Sequence, residues 1–291
     1  MRTLLPGCLL VAVLATASFA ATADDVPWDR VPGAKDFTGF QRRVAATVLQ
    51  TSYCYGGCNG TIAECLRTGD PIATRLAAFV SRRVIVNPDV DVILKEVENR
   101  RRSATAPDTL HVDLSQLLPA GNPSASVEVL MYGDFDCPYC HEAATALREL
   151  SVAYPDSFSF WFKPYPLSQD PYALPAAIAY LAAERQGRGW DMFEGLFSHT
   201  RELDTQTLQD IADASGLDLK QYRADIKDPA LSQRVRTDKA EAVACGFHKM
   251  PGILINGKPY HGSLSKAELW DRIQEERELV ARRHPAEKSG G

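Results

Sequence analysis

From residue 37 onward, apolar positions recur three and four apart in four stretches: Phe37 to Leu49, Thr61 to Leu66, about Pro71 to Arg83 and about Pro88 to Arg102. That spacing puts the apolar residues on one face of a helix and predicts a small all-helical module over 24–104. Ahead of it, Asp24 to Lys35 contains Pro and Gly and reads as extended. Ser103 to Asp108 is small, polar and proline-bearing, which reads as a linker. The period then changes. His111 to Leu114 reads as a short strand, and Val127 to Tyr132 and Phe158 to Lys163 as strands buried on both faces, because their apolar runs are nearly unbroken. Between the last two, Gly133 to Asp136 turns the chain and Cys137 opens a helix through about Ala153. Pro171 to Ala244 is a string of helices broken at Gly187-Arg188-Gly189, Gly216 and Asp228-Pro229. Gly252 to Ile255 and Pro259 to Tyr260 then flank Asn256-Gly257, the pair that best tolerates the positive φ angles of a tight hairpin. Leu264 to Arg283 closes the chain as an amphipathic helix, capped by Ser263 or Ser265.

Strand, helix, strand, several helices, hairpin, helix is the order of an α/β domain with a central mixed sheet and a helical insertion between its halves. The expected organisation is a leader at 1–23, the helical module at 24–104, the sheet domain at 105–284 with its insertion at about 168–245, and a disordered tail at 285–291. No internal repeat is visible.

The first residues carry their own pattern. Arg2 supplies a positive start, Leu4 to Ala17 an apolar stretch short for a bilayer span, and Ser18-Phe19-Ala20 and Ala21-Thr22-Ala23 two small-x-small cleavage sites. A secretory signal cleaved after Ala20 or Ala23 is expected, with an uncleaved anchor as the rival; the mature chain then resides in a periplasmic or extracellular space. Losing a leader with one base and no acid takes the formal net charge from −5 to −6, which argues against nucleic acid as the main partner. The run Arg100-Arg101-Arg102 reads as a solvated helix end.

Cysteine usage changes the picture most. Cys54, Cys58, Cys65, Cys137, Cys140 and Cys245 remain after Cys8 leaves with the leader. A chain of this size does not need disulfides to hold a core, so some of these thiols are expected to do chemistry. Cys137-Pro138-Tyr139-Cys140 follows a strand and a tight turn and opens a helix. Backbone N–H groups of a first helical turn point at the leading sulfur, and the helix dipole favours negative charge there. The thiolate is thereby populated, and the thiolate is the species that attacks disulfides. Pro138 suits the first turn, where its missing N–H costs nothing. Cys137 is the expected nucleophile. Cys140, one turn behind, is the resolving thiol that attacks a mixed disulfide and releases the partner. His141 either stabilises the thiolate or faces solvent. Asp134 and Asp136 would oppose the thiolate if close, and helix N-capping is their expected task. Cys245, in an apolar context, reads as a buried inert thiol.

These residues resemble a known family. Gly121-Asn122-Pro123, then Val127 to Cys140 with Gly133-Asp134-Phe135-Asp136 ahead of Cys-Pro-Tyr-Cys, is similar to the DsbA-like branch of the thioredoxin superfamily. So are Phe162-Lys163-Pro164-Tyr165-Pro166-Leu167, Ala176-Ala177, Gly189-Trp190-Asp191-Met192, and Gly246 to Gly257 with its Pro251 and Asn256-Gly257. The resemblance covers about 110–284. It implies a thioredoxin-like fold and Pro251 as a cis-proline facing the cysteine pair, with Met250, Pro251, Pro138 and Tyr139 meeting the substrate. A substrate chain would hydrogen-bond beside Met250 as an added strand. Met250 stands where Thr or Val is usual in this branch. Six residues before the first cysteine, many relatives place a buried acid; here Met131 occupies that position, and Lys163 or water is the candidate substitute.

The segment Cys54 to Cys65 faintly resembles the redox hairpin of the cytochrome c maturation protein CcmH, although its spacing is Cys-x-x-x-Cys. Three readings stand open: a structural disulfide plus one odd thiol, a second redox relay, or a soft-metal site such as Cu(I) on Cys54, Cys58 and Cys65. The function expected from the whole is thiol–disulfide exchange on exported proteins, with oxidase, isomerase and reductase directions open. The alternative is a thiol-based copper-binding protein. No organic cofactor is implied. The expected partners are exported proteins with thiols or disulfides, a redox partner that recycles the pair, and a second copy of the chain if the helical module self-associates.

Overall fold

The computed structural model describes residues 25–106, 110–115, 117–167, 171–200 and 203–283. The leader at 1–23, the tail at 285–291 and the end of the linker lie outside the described residues.

Four helices make the N-terminal module: α1 (Gly39–Thr51), α2 (Ile62–Arg67), α3 (Pro71–Val86) and α4 (Val90–Thr105). Each starts where a side chain accepts from the first-turn backbone. Thr38 with Gln41, and Thr61 with Glu64, form reciprocal capping boxes; Asp70 and Asp89 cap α3 and α4. Val44, Val48, Leu49, Ile62, Leu66, Ile72, Leu76, Val80 and Ile93 are buried together between them. The chain before α1 is not extended. It folds into short 3-10 turns at Trp28–Arg30 and Ala34–Asp36, with Val26, Val31 and Ala34 buried. Apolar residues spaced for a turn can reach the module's core; an extended strand would leave them in water. The expected linker is also shorter at its start, since α4 runs on to Thr105.

The second unit is built on a five-stranded sheet of order β1-β3-β2-β4-β5. Its strands are β1 (Ala120–Gly121), β2 (Glu128–Gly133), β3 (Ser159–Pro164), β4 (Gly252–Ile255) and β5 (Lys258–Pro259). Helix α5 (Pro138–Ala153) makes the crossover between the parallel pair β2 and β3. Helices α6 (Ala173–Arg185), α7 (Gly189–Ser198), α8 (Thr205–Ala214), α9 (Leu219–Asp225) and α10 (Pro229–Ala244) form the insertion, and α11 (Lys266–Arg283) closes the chain. Strand alternation separates two faces. Val129, Met131, Phe160, Phe162, Ile253 and Ile255 join the core with α5 and the insertion, whereas Leu130, Tyr132, Trp161 and Leu254 pack on the far side. Asn256 and Gly257 have φ of 49° and 71°, as a tight hairpin turn requires.

One strand expectation needs correction, and one strand was not expected. Residues 111–114 form no strand; a single backbone bond, from Leu110 N–H to the Gly257 carbonyl, ties the segment to the hairpin. The sheet's edge is instead β1, antiparallel to β3. Gly121 makes that approach possible, because a Cβ there would sit 2.6 Å from the Phe158 carbonyl oxygen.

Helix α11 is the seam between the two units. Leu269 and Ile273 enter the sheet's core, while Glu268, Arg272, Glu275 and Glu276 are also buried. Arg75 bonds Asp271 and Glu278, Arg82 bonds Glu268 and Asp271, and the Tyr55 hydroxyl donates to Glu275. Arg100 reaches Asp271 at 3.0 Å and Glu275 at 3.2 Å. It is only 7% exposed, so the first residue of the arginine run is a buried ion-pair partner and not part of a solvated helix end.

Candidate active site

Strand β2 delivers the chain to the site. At its end Gly133 is required by contact: a Cβ there would lie 2.8 Å from Met131 Cε and 3.6 Å from Cys140 Cβ, so glycine lets the start of α5 pack onto the strand. Phe135, 1% exposed, pins the turn. Its ring lies 4.9 Å from Phe197, 5.1 Å from Phe162 and 5.6 Å from Tyr180, joining sheet and insertion beneath the cysteines.

Cys137 is the residue before α5, with extended backbone, and Pro138 begins the helix. Its sulfur is half-buried at the helix mouth, where the Cys140 thiol and the backbone N–H groups of Cys140 and Tyr139 favour its anion. These donors favour the anion, and they outweigh burial and the repulsion of Asp134. The Cys137 thiol is lowered from 9.0 to about 6. Cys140 is fully buried and moves the opposite way. It holds its proton for Cys137 and is desolvated, so its pKa rises strongly. One sulfur is thus a ready nucleophile at neutral pH and its neighbour a protonated reserve. Tyr139 stands exposed at the rim. The Met250–Pro251 peptide is cis, directly before β4, whose Gly252 pairs with Tyr132 at the end of β2. That register brings the Met250–Pro251 segment to the same end of the sheet as the cysteine turn.

The neighbours of the pair differ from expectation in three respects. Lys163 cannot stand in for the absent acid at Met131. It follows Trp161 on the far face of the sheet, where it is 3% exposed and bonds Glu241 at 2.7 Å and Asp238 at 3.4 Å. The N-cap position of α5 is Cys137, and the Asp134 carboxylate accepts from the backbone N–H groups of Asp136 and Leu167. His141 does not face solvent freely: its Nδ1 is 2.7 Å from the Phe197 carbonyl, which ties α5 to α7.

In the module, Cys58 and Cys65 are joined in a disulfide, with Cα atoms 5.9 Å apart. Cys54 is buried and unpaired by disulfide, and burial pushes its thiol up to about 11. A three-thiolate copper site is therefore not what these residues form, since two of its donors are spent on each other. Cys245 is half-buried, not fully buried; burial, with the charge of Glu241, raises its pKa.

Comparison with known proteins agrees with this architecture. The thioredoxin family model matches residues 116–275. The chain is 32% identical over 152 residues to the Na(+)/H(+) antiporter NhaA 1 of Mycolicibacterium gilvum, covering 51% of this chain and 25% of that protein. It is 36% identical over 143 residues to NhaA 3 of Salinispora tropica, covering 49% and 22%. The chain thus spans about a quarter of the length of these curated relatives, and no helix among the described residues is long and apolar enough to cross a membrane. Among solved structures, a thioredoxin-like oxidoreductase from Silicibacter pomeroyi aligns with TM-score 0.51 and 25% identity, over 56% of this chain and 92% of its own. The catalytic domain of Proteus mirabilis ScsC aligns with TM-score 0.51 and 18% identity, over 62% and 98%. The latter likeness is one of fold.

Proposed function

The chain belongs to the thioredoxin family, and from that premise we propose that it exchanges disulfides with exported proteins through Cys137 and Cys140. The observation that carries the reading is the Cys137 sulfur at the mouth of α5, surrounded by donors and lowered to about 6. As a reductase or isomerase, the Cys137 thiolate attacks one sulfur of a client disulfide, the client's other sulfur leaves as a thiolate, and a mixed disulfide forms. Cys140 then gives up its proton and attacks the Cys137 sulfur, which restores the client thiol and leaves the Cys137–Cys140 disulfide. Oxidation of a client runs the same steps backwards, and a redox partner resets the pair in either direction.

The Met250–Pro251 segment, Pro138 and Tyr139 form the proposed client contact, with the client strand hydrogen-bonding beside Met250. Export is supported by the positive and apolar start of the chain and by the Cys58–Cys65 disulfide, a bond at home in oxidising compartments. The proposed organisation keeps a helical module at 24–104 ahead of a catalytic domain at 105–284. The test is insulin reduction and model-peptide oxidation by the wild-type protein. Cys137→Ser should abolish both, and Cys140→Ser should accumulate the mixed disulfide. Full activity in Cys137→Ser would sink the reading.

A further inference from the structure

Where the two units meet, α3 and α4 of the module and the turn from β5 into α11 line a cavity of about 270 Å³. Three arginines face it, Arg83 and Arg100 from the module and Arg272 from α11, against two acids, Glu96 and Glu268. Both acids are already committed, Glu96 to Arg83 at 3.1 Å and Glu268 to Arg82 at 3.1 Å. The Phe79 ring lies 5.1 Å from the guanidinium carbons of both Arg83 and Arg100. A guanidinium stacked on an aromatic face keeps its in-plane N–H edge for an acceptor. Arg100 is 7% exposed and Arg272 1%. Asp271 fixes Arg100 Nη1 at 3.0 Å, and Glu276 and the Ser103 carbonyl fix Arg272 Nη2 at 2.7 and 3.2 Å. Two further nitrogens, Arg100 Nη2 and Arg272 Nη1, are buried with no hydrogen-bond partner among the described residues. A buried donor without an acceptor is costly, and a bound acceptor removes that cost.

We propose that this cavity binds a small organic carboxylate, held by Arg83, Arg100 and Arg272. The forks of planar guanidinium groups match the two oxygens of a carboxylate. Size favours an organic anion over an inorganic one. The cavity is several times the ~30 Å³ that one water occupies, and Tyr260 and Gly262 supply wall against which a carbon skeleton lies. That wall is itself held in place. The Tyr260 hydroxyl donates to the Ser263 carbonyl at 2.6 Å, and His261 N–H donates to Ser103 Oγ at 2.9 Å, which joins the turn to α4. Because the cavity is lined from both units, the bound carboxylate ties the module to the sheet domain. No sulfur takes part, so the site stands apart from the exchange reading.

The experiment is calorimetric titration of the full-length protein in chloride buffer. Succinate is the probe; succinamide, of like shape without charge, and sulfate are the controls. Succinate should bind one to one and raise the thermal unfolding midpoint as its concentration rises, and both controls should bind roughly tenfold more weakly or worse. Arg83→Gln removes a donor, and His261→Glu sets a competing carboxylate at the rim. Each should weaken succinate binding by about tenfold or more. His261 is exposed, so His261→Glu stays folded even if loss of the Arg83–Glu96 pair unsettles α3. Three results overturn the proposal: no succinate binding, a control that binds as tightly as succinate, or unchanged affinity in either folded variant.

Discussion

At the scale of residues, two cysteines three apart are made unlike by where each sits. Cys137 is outside the helix and collects donors; Cys140 is inside it and loses water. The expected consequence is a reaction rate with iodoacetamide that rises as pH climbs through about 6 and is level by neutral pH. An ordinary thiol would keep rising towards 9. Because the folded pKa is depressed, the thiolate contributes stability to the reduced protein at pH above the unfolded value, and that contribution drains away as pH falls towards the folded value. The reduced protein should therefore lose thermal stability on acidification through this window, while the oxidised protein, whose sulfurs do not titrate, should not. Lys163 offers a contrast. Lys163→Met removes one of two partners of buried Asp238, which keeps Arg234, and should destabilise by about 1–3 kcal/mol in denaturant unfolding, yet leave the exchange rate alone, because the ammonium is on the far face of the sheet. A slowed exchange in a folded Lys163→Met would show that the face assignment misses a coupling.

Elements were legible in proportion to how local their causes are. Helix starts follow from Thr38, Thr61, Asp70 and Asp89, each bonding a backbone N–H three residues ahead. The hairpin follows from Asn256-Gly257, where Asn256 also accepts from Glu128 N–H at 2.7 Å and so fastens the turn to β2. Gly257→Val places a branched side chain at φ 71° and should cost about 1–2 kcal/mol in thermal or denaturant unfolding. The two-residue strand β1 was not legible, and residues 111–114, with a better strand composition, form none. Edge pairing depends on which segment the tertiary path brings beside β3, and Gly121 matters only because of Phe158 across the gap.

At the scale of the whole molecule, the helical module and the sheet domain meet through charge. Glu268, Asp271 and Glu275 of α11 face Arg75, Arg82 and Arg100 of the module, while Glu276 pairs inside the sheet domain with Arg272 and Lys258. Burial pushes the Asp271 carboxyl up, but Arg100 and Arg82 outweigh it and hold it low; Arg272 and Lys258 do the same for Glu276. Depressed carboxyls contribute stability above their unfolded pKa of about 4 and lose it as pH falls through the folded value. Acid should therefore loosen this seam. Arg100→Leu leaves buried acids short of a partner and is expected to destabilise by about 3–5 kcal/mol. It should also expose the module to limited proteolysis, with the Cys137 alkylation profile unchanged. Resistance to protease equal to wild type would show that the seam does not depend on Arg100.

The local order of the chain already determined the cysteine pair at a helix mouth, Pro138 in the first turn, the cis position of Pro251, the hairpin and the split between a helical module and an α/β domain. Each of these depends on residues within a few positions of one another, or on a motif that resembles a known family. Tertiary structure alone decided which face of the sheet Lys163 occupies, that Cys58 pairs with Cys65, that Arg100 and the acids of α11 are buried against each other, and that the buried Asp134 carboxylate meets the Leu167 N–H. A charged side chain reads as solvated along a sequence because burying it alone is costly. Only the fold can supply, from residues far away in the chain, the partner that makes its burial tolerable.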